Sequence, residues 1–133
     1  MIEAAIFNRL STYAGTSALV CTVGQKRVYP DLLPQNPTYP AITYERTNTK
    51  RPKTLGGFYG KARGQFRFNC WHTNPTTAAN LRSQVVQALE GMNGTYASCV
   101  VSGVNFINEW DDWEPDVRIA RKMVDVEIWY VEE

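Results

Sequence analysis

The residues with chemical potential are few. His72 is the chain's single histidine, and it stands two residues from Cys70 in Phe66-Arg67-Phe68-Asn69-Cys70-Trp71-His72. In an extended strand that spacing puts both side chains on one face, where thiolate and imidazole could serve as two zinc ligands. No C-x-x-C or H-x-x-x-H spacing accompanies them, so the plainer reading is packing. A Ser-His-Asp or Cys-His mechanism would need His72 as its base, but the chain has no G-x-S-x-G elbow and an apolar strand does not activate a thiol. The segment Gly56-Gly57-Phe58-Tyr59-Gly60-Lys61-Ala62 superficially resembles a phosphate-binding P-loop. Its first glycine is one residue too close, Ala62 replaces the magnesium-binding hydroxyl, and a strand pattern follows where a helix should begin. The carboxylates of Trp110-Asp111-Asp112-Trp113-Glu114-Pro115-Asp116 could pair for acid and base work, yet acids side by side before a proline read first as a polar loop. No catalytic residue, cofactor or metal site is expected, and the chain is not read as an enzyme.

Two stretches suit binding instead. Between Arg46 and Arg67 there are seven basic residues and no acid, with Phe58 and Tyr59 interleaved; between Glu109 and Glu133 nine acids face three basic residues. Arg46, Lys50, Arg51, Lys53, Lys61 and Arg63 with Phe58 and Tyr59 compose a surface for an acidic protein or a nucleic-acid backbone. Trp110 and Trp113, with Asp111 and Asp112, supply the aromatic anchors favoured in protein interfaces. A chain with net charge +1 and one segment of each sign is complementary to a copy of itself. The plainer reading is two solvated faces that never meet.

The elements that must carry these residues follow from periodicity. Ile2, Ile6 and Leu10 form the stripe of an amphipathic helix with Glu3 at its positive end; Gly15 is expected to end it, and Thr16 or Ser17 to cap a further turn. Gln25 to Tyr29 reads as a short strand. Four prolines from Pro30 to Pro40 leave an extended crossing segment. Residues 41–48 and 61–72 alternate as half-buried strands, joined by a glycine-rich connection of about twelve residues, longer than hairpin loops usually are. Asn74-Pro75 starts a second main helix whose buried stripe is Ala78, Leu81, Val85, Ala88 and Leu89. Strands follow over 96–108, with Gly103 marking a bulge, and over 118–131. The expectation is one α+β domain spanning residues 1–133, with a mainly antiparallel sheet of about five strands and two main helices packed on one face. No apolar run reaches the roughly 18 residues that cross a bilayer, so no membrane partner is expected, and the N-terminus lacks the pattern of a secretory signal. A cytoplasmic origin is the expectation that follows. Cys21, Cys70 and Cys99 are odd in number and sit in apolar contexts, which predicts reduced, buried thiols.

Taken in order, the helix Ile2 to Leu10, Arg27-Val28-Tyr29-Pro30, Tyr39-Pro40-Ala41-Ile42-Thr43-Tyr44, Phe66-Arg67-Phe68-Asn69-Cys70-Trp71, the helix Ala78 to Gly91 and Val126-Glu127-Ile128-Trp129-Tyr130 resemble the tail-completion, or tail-terminator, proteins of long-tailed bacteriophages. Where the family often has an acid, this chain has Asn69. The resemblance implies a structural protein assembled in the bacterial host cytoplasm and resident in the virion at the head-proximal end of the tail. It implies a ring of copies, commonly a hexamer, bound to the major tail tube protein and to the head-connector or stopper protein, with DNA passing through the lumen. On that reading the basic segment meets either the acidic segment of the next subunit or DNA, without sequence preference. The rival reading is a small nucleic-acid-binding module using Lys50 to Arg67.

Overall fold

The N-terminal apolar stripe folds as α1 (Ile2–Thr12), burying Ile2, Ala5, Ile6 and Leu10 in this computed structural model, which describes residues 2–22, 25–31, 39–50, 53–54, 57–58, 61–97, 99–114 and 118–131. A second helix, α2 (Ala14–Val20), starts after Tyr13, so Gly15 lies within a helix and does not end one. A Cβ at Gly15 would meet the end of the Gln84 side chain, which would have to turn aside to admit it. Next come the small ribbon β1 (Cys21–Thr22) and β2 (Gln25–Lys26), then β3 (Val28–Pro30) and β4 (Ala41–Lys50). The proline-rich crossing expected over 30–40 falls largely outside the described residues.

A second small ribbon, β5 (Lys53–Thr54) and β6 (Gly57–Phe58), lies between β4 and the long β7 (Lys61–His72). The long connection is thus in part an extension of a hairpin. Asn74 accepts from the N–H groups of Thr76 and Thr77 and caps α3 (Pro75–Glu90), with proline at the first turn where its missing N–H costs nothing. The chain ends in β8 (Gly94–Tyr96), β9 (Cys99–Glu114) and β10 (Ile119–Val131).

The main sheet has the order β3-β4-β7-β10-β9-β8. All its neighbours are antiparallel except β3 and β4, which are parallel. The expectation of about five strands and two main helices is therefore corrected to six strands in a mixed sheet and three helices. The main-sheet strand that the expectation lacks is β8, three residues and too short to show a period, and the further turn expected after Gly15 is a helix of its own, α2, of seven residues. Bulges fall in β9 opposite Asp125/Val126 and Trp129/Tyr130, the second beside Gly103.

One face of the sheet is dry. Ile42, Tyr44, Phe66, Phe68, Cys70, Val124, Val126 and Ile128 pack there against Ile6, Leu10, Leu81, Val85 and Leu89, all buried. Each large side chain so buried contributes roughly 1.5–3 kcal/mol. The opposite face carries no described helix, and the polar positions of β4, β7, β9 and β10 project from it.

Candidate assembly surfaces

The basic segment forms the arm made by β4, β7 and the ribbon between them. Arg51 and Tyr59 lie outside the described residues; Lys53, Phe58 and Lys61 are placed by backbone on β5, β6 and β7. Lys50 is exposed at the end of β4. Arg46 is not free for a neighbour. Its Nη2 meets Glu3 Oε1 of α1 at 2.6 Å, its Nη1 donates to Tyr130 Oη at 3.1 Å, and its guanidinium lies 5.1 Å from the centre of the Phe66 ring.

On the helix-free face the basic and acidic segments meet within one chain. Arg63 lies over Trp129 at 4.9 Å and approaches Glu127 at 3.6 Å. Arg67 lies over Trp110 at 4.8 Å and pairs with Asp125 at 3.2 Å. Arg121 lies over Trp71 at 5.3 Å and pairs with Asp112 at 2.6 Å. Trp71 is fixed in turn by its indole N–H, which donates to Thr43 Oγ1 at 2.9 Å. Three arginines are thus each stacked on an indole and closed by a carboxylate, an arrangement that rests on pairing between strands. The charge asymmetry read along the sequence is therefore partly cancelled inside the fold.

The segment expected as a polar loop, Trp110 to Glu114, is instead the end of β9, paired with β10 from Trp110 opposite Met123 to Glu114 opposite Ile119. Cross-strand ion pairs make this acidic stretch a strand: Asp111 with Lys122 at 3.1 Å and Asp112 with Arg121. Asp111 also accepts from Arg82 Nη1 of α3 at 2.6 Å. Its carboxyl is held below the usual range first by the Lys122 hydrogen bond and then by Arg82, against an opposing effect of burial. Asp112 is lowered mainly by Arg121, with help from the Trp113 N–H. Because strand neighbours alternate sides, a separation of three puts the two tryptophans on opposite faces. Trp110 lies on the helix-free face under Arg67; Trp113 lies on the α3 side and is 44% exposed.

Cys70 and His72 do share one face of β7. Burial pushes the Cys70 thiol up to about 12, the reverse of an activated nucleophile. Cys70 and Cys99 are buried and unbridged; the Cys21 side chain lies outside the described residues. Among the described residues no cluster of His, Cys, Asp or Glu could hold a metal ion. His72 Nδ1 accepts from the Asn74 N–H at 2.8 Å, in the turn that launches α3. Burial lowers its pKa, so the neutral ring is favoured in the fold. The unfolded chain then binds the proton more readily. This contribution to stability is complete above the unfolded value near about 6.5 and is lost as pH falls through the lowered folded value. Replacing His72 with Gln should flatten the pH dependence of the urea midpoint between pH about 7 and about 5, where Asp111 and Asp112, both held low, stay ionised.

The structure brings together one residue the sequence reading passed over. Arg27 is 4% exposed; its Nε donates to the Pro40 carbonyl at 2.8 Å and its Nη2 to the Leu19 carbonyl at 3.0 Å. It ties the end of α2 to the entry of β4. Nothing local marked it beyond its place before Val28-Tyr29-Pro30.

The shape of the domain is shared. In the solved virion of a native gene transfer agent particle, one chain superposes with a TM-score of 0.79 at 17% sequence identity, covering 98% of this chain and 94% of that one. A search of curated protein sequences finds no match. A sequence model of the family described as tail completion protein gp17 matches residues 4–131, from the first turn of α1 to the last residue of β10. Agreement over that span means that the chain belongs to the phage tail completion family.

Proposed function

We propose that this virion structural protein is a tail terminator: a ring of copies, commonly six, that closes the head-proximal end of the tail tube and joins it to the head connector or stopper. The observation that carries the reading is the family match over nearly the whole chain. The ring's neighbours are then the major tail tube protein on one side and the connector on the other, with DNA passing through the lumen. The exposed apolar side chains Val100, Ile107 and Trp113 and the exposed Lys50 support a role in docking over one in catalysis.

Lys50, Arg51 and Lys53 are the basic residues we assign to the next subunit or to DNA in the lumen. Reversing all three to Glu should reduce the yield of joined particles by at least about tenfold, a change equivalent to about 1.4 kcal/mol of docking free energy. Electron microscopy of assembly mixtures would count joined particles against separate heads and tails. Unchanged oligomer mass together with unchanged joining would remove both roles for the arm. The nucleic-acid-binding alternative requires salt-sensitive DNA binding by the isolated chain; the in-chain pairing of Arg46, Arg63 and Arg67 leaves less free charge for it.

A further inference from the structure

On the α3 side of the sheet, β9 and α3 border a trough between two rows of side chains. Glu109, Asp111 and Trp113 alternate onto that side of β9, where pairing with β10 is unbroken from Glu109 opposite Val124 to Trp113 opposite Ala120. Arg82, Val86 and Glu90, spaced four apart, form the facing row on α3. Arg82 crosses between the rows, donating to the Trp110 carbonyl at 3.2 Å and to Asp111 at 2.6 Å, and so divides the trough. One half, an open groove of about 590 Å³, is lined by Val86, Glu90, Phe106, Ile107 and Glu109. The other, of about 410 Å³, is lined by Pro75, Asp111, Asp112, Trp113, Ala120 and Lys122.

The halves differ in charge. In the Trp113 half both acids are answered within the chain, Asp111 by Arg82 and Lys122 and Asp112 by Arg121. In the other half Glu90 and Glu109 are both exposed, and among the described residues neither pairs with a cation. Two like charges on one concave, largely apolar surface concentrate a negative field there. The indoles differ as well. Trp71, Trp110 and Trp129 each carry an arginine of the same chain. No described cation lies over Trp113, which is 44% exposed, and Ile107 at the acidic half is 49% exposed.

We propose that this trough holds an extended segment of another protein, one that carries a lysine or arginine and a large apolar side chain four positions apart. The stem of the cation lies on Val86, Phe106 and Ile107 with its head at Glu90 and Glu109, and the apolar side chain packs on Trp113 and Pro75. Four residues of extended chain, roughly 13 Å at about 3.3 Å per residue, match the step along β9 from Glu109 to Trp113. The even separation keeps both side chains on one side. Side chains, not strand pairing, give the recognition, because the N–H groups of Glu109 and Trp113 already donate to the side chains of Asn108 and Asp112. The unanswered acids turn away a phosphate backbone, so the occupant is protein and not nucleic acid. The proposal rests on the reading that this chain docks other virion proteins.

Peptide titration of the full chain tests the site. The probe is a peptide of about nine residues, built on serine and threonine, with one lysine and one phenylalanine four positions apart, made in both orders. One order should bind with a submillimolar Kd by calorimetry and shift the indole N–H resonance of Trp113. E90Q/E109Q and Trp113→Ala, each folded by circular dichroism, should weaken that binding at least about tenfold. Norleucine in place of the lysine should cost the wild-type chain the same factor and remove the difference between it and E90Q/E109Q. No submillimolar binding in either order, or binding that ignores either variant, overturns the site. The assembly reading then still stands or falls on the joining assay. A probe that instead breaks up an oligomer of the wild-type chain in native mass spectrometry makes a second copy the occupant and overturns the assignment to another protein.

Discussion

Arg27→Met is expected to lower the unfolding free energy by about 3–5 kcal/mol, a large part of the 5–15 kcal/mol that holds an ordinary domain together. The guanidinium is nearly sealed from solvent, and its charged N–H groups answer the carbonyls of Leu19 and Pro40. Each such bond is worth about 1.5–3 kcal/mol, and methionine, of similar length, leaves both oxygens dry. Leu19 lies in the last turn of α2, where the helix dipole also favours a cation. The Arg27 backbone adds to the junction, its N–H donating to Val20 and its carbonyl accepting from Ile42. Urea denaturation should show a lower midpoint with an unchanged slope. Lysine should recover only part of the loss, because a single ammonium cannot reproduce the guanidinium fork. A loss below about 1 kcal/mol for Met would mean that this junction contributes little to the fold.

Phe66→Ala is expected to cost about 3–5 kcal/mol. Phe66 is fully buried on β7, one of the two central strands, and its ring also supports the guanidinium of Arg46, which reaches Glu3 of α1. The neighbour that might fill the cavity has no side chain: a Cβ at Gly64 would stand 2.8 Å from Phe66 Cε2 and 3.3 Å from Tyr130 Cε1. The hole therefore stays open, which places the cost toward the upper end. The same geometry predicts coupling. Gly64→Ala alone should destabilise by about 1–3 kcal/mol through overpacking, and in the Phe66→Ala background that penalty should disappear. Additive costs in the double variant would contradict the steric account.

What could be read from the chain beforehand depends on how local each cause is. The stripes Ile2, Ile6, Leu10 and Ala78, Leu81, Val85, Ala88, Leu89 are all buried as their spacing predicts, because a helical face is set by its own residues. The faces of β7 and β10 follow their alternation for the same reason. Gly15 misled because a glycine is a weak sign of a helix end: the break falls at Tyr13, and α2 already starts at Ala14. Trp110 to Glu114 read as a loop because aspartate is poor in strands; what overrides that preference is Arg121 and Lys122 across the ladder. A legible signal was present, since two acids and two bases stand at mirrored distances about a turn. The binding residues were recognisable by type, but their in-chain partners were not. Nothing near Arg46 points to Glu3, and nothing near Arg67 points to Asp125.

The three stacked and paired arginines bear on whatever moves past the helix-free side of the sheet. A guanidinium held over an indole and beside a carboxylate has less left to offer a phosphate. That side of the protein is thus richer in arginine by composition than in charge free to act, since Arg63, Arg67 and Arg121 are each answered within the fold.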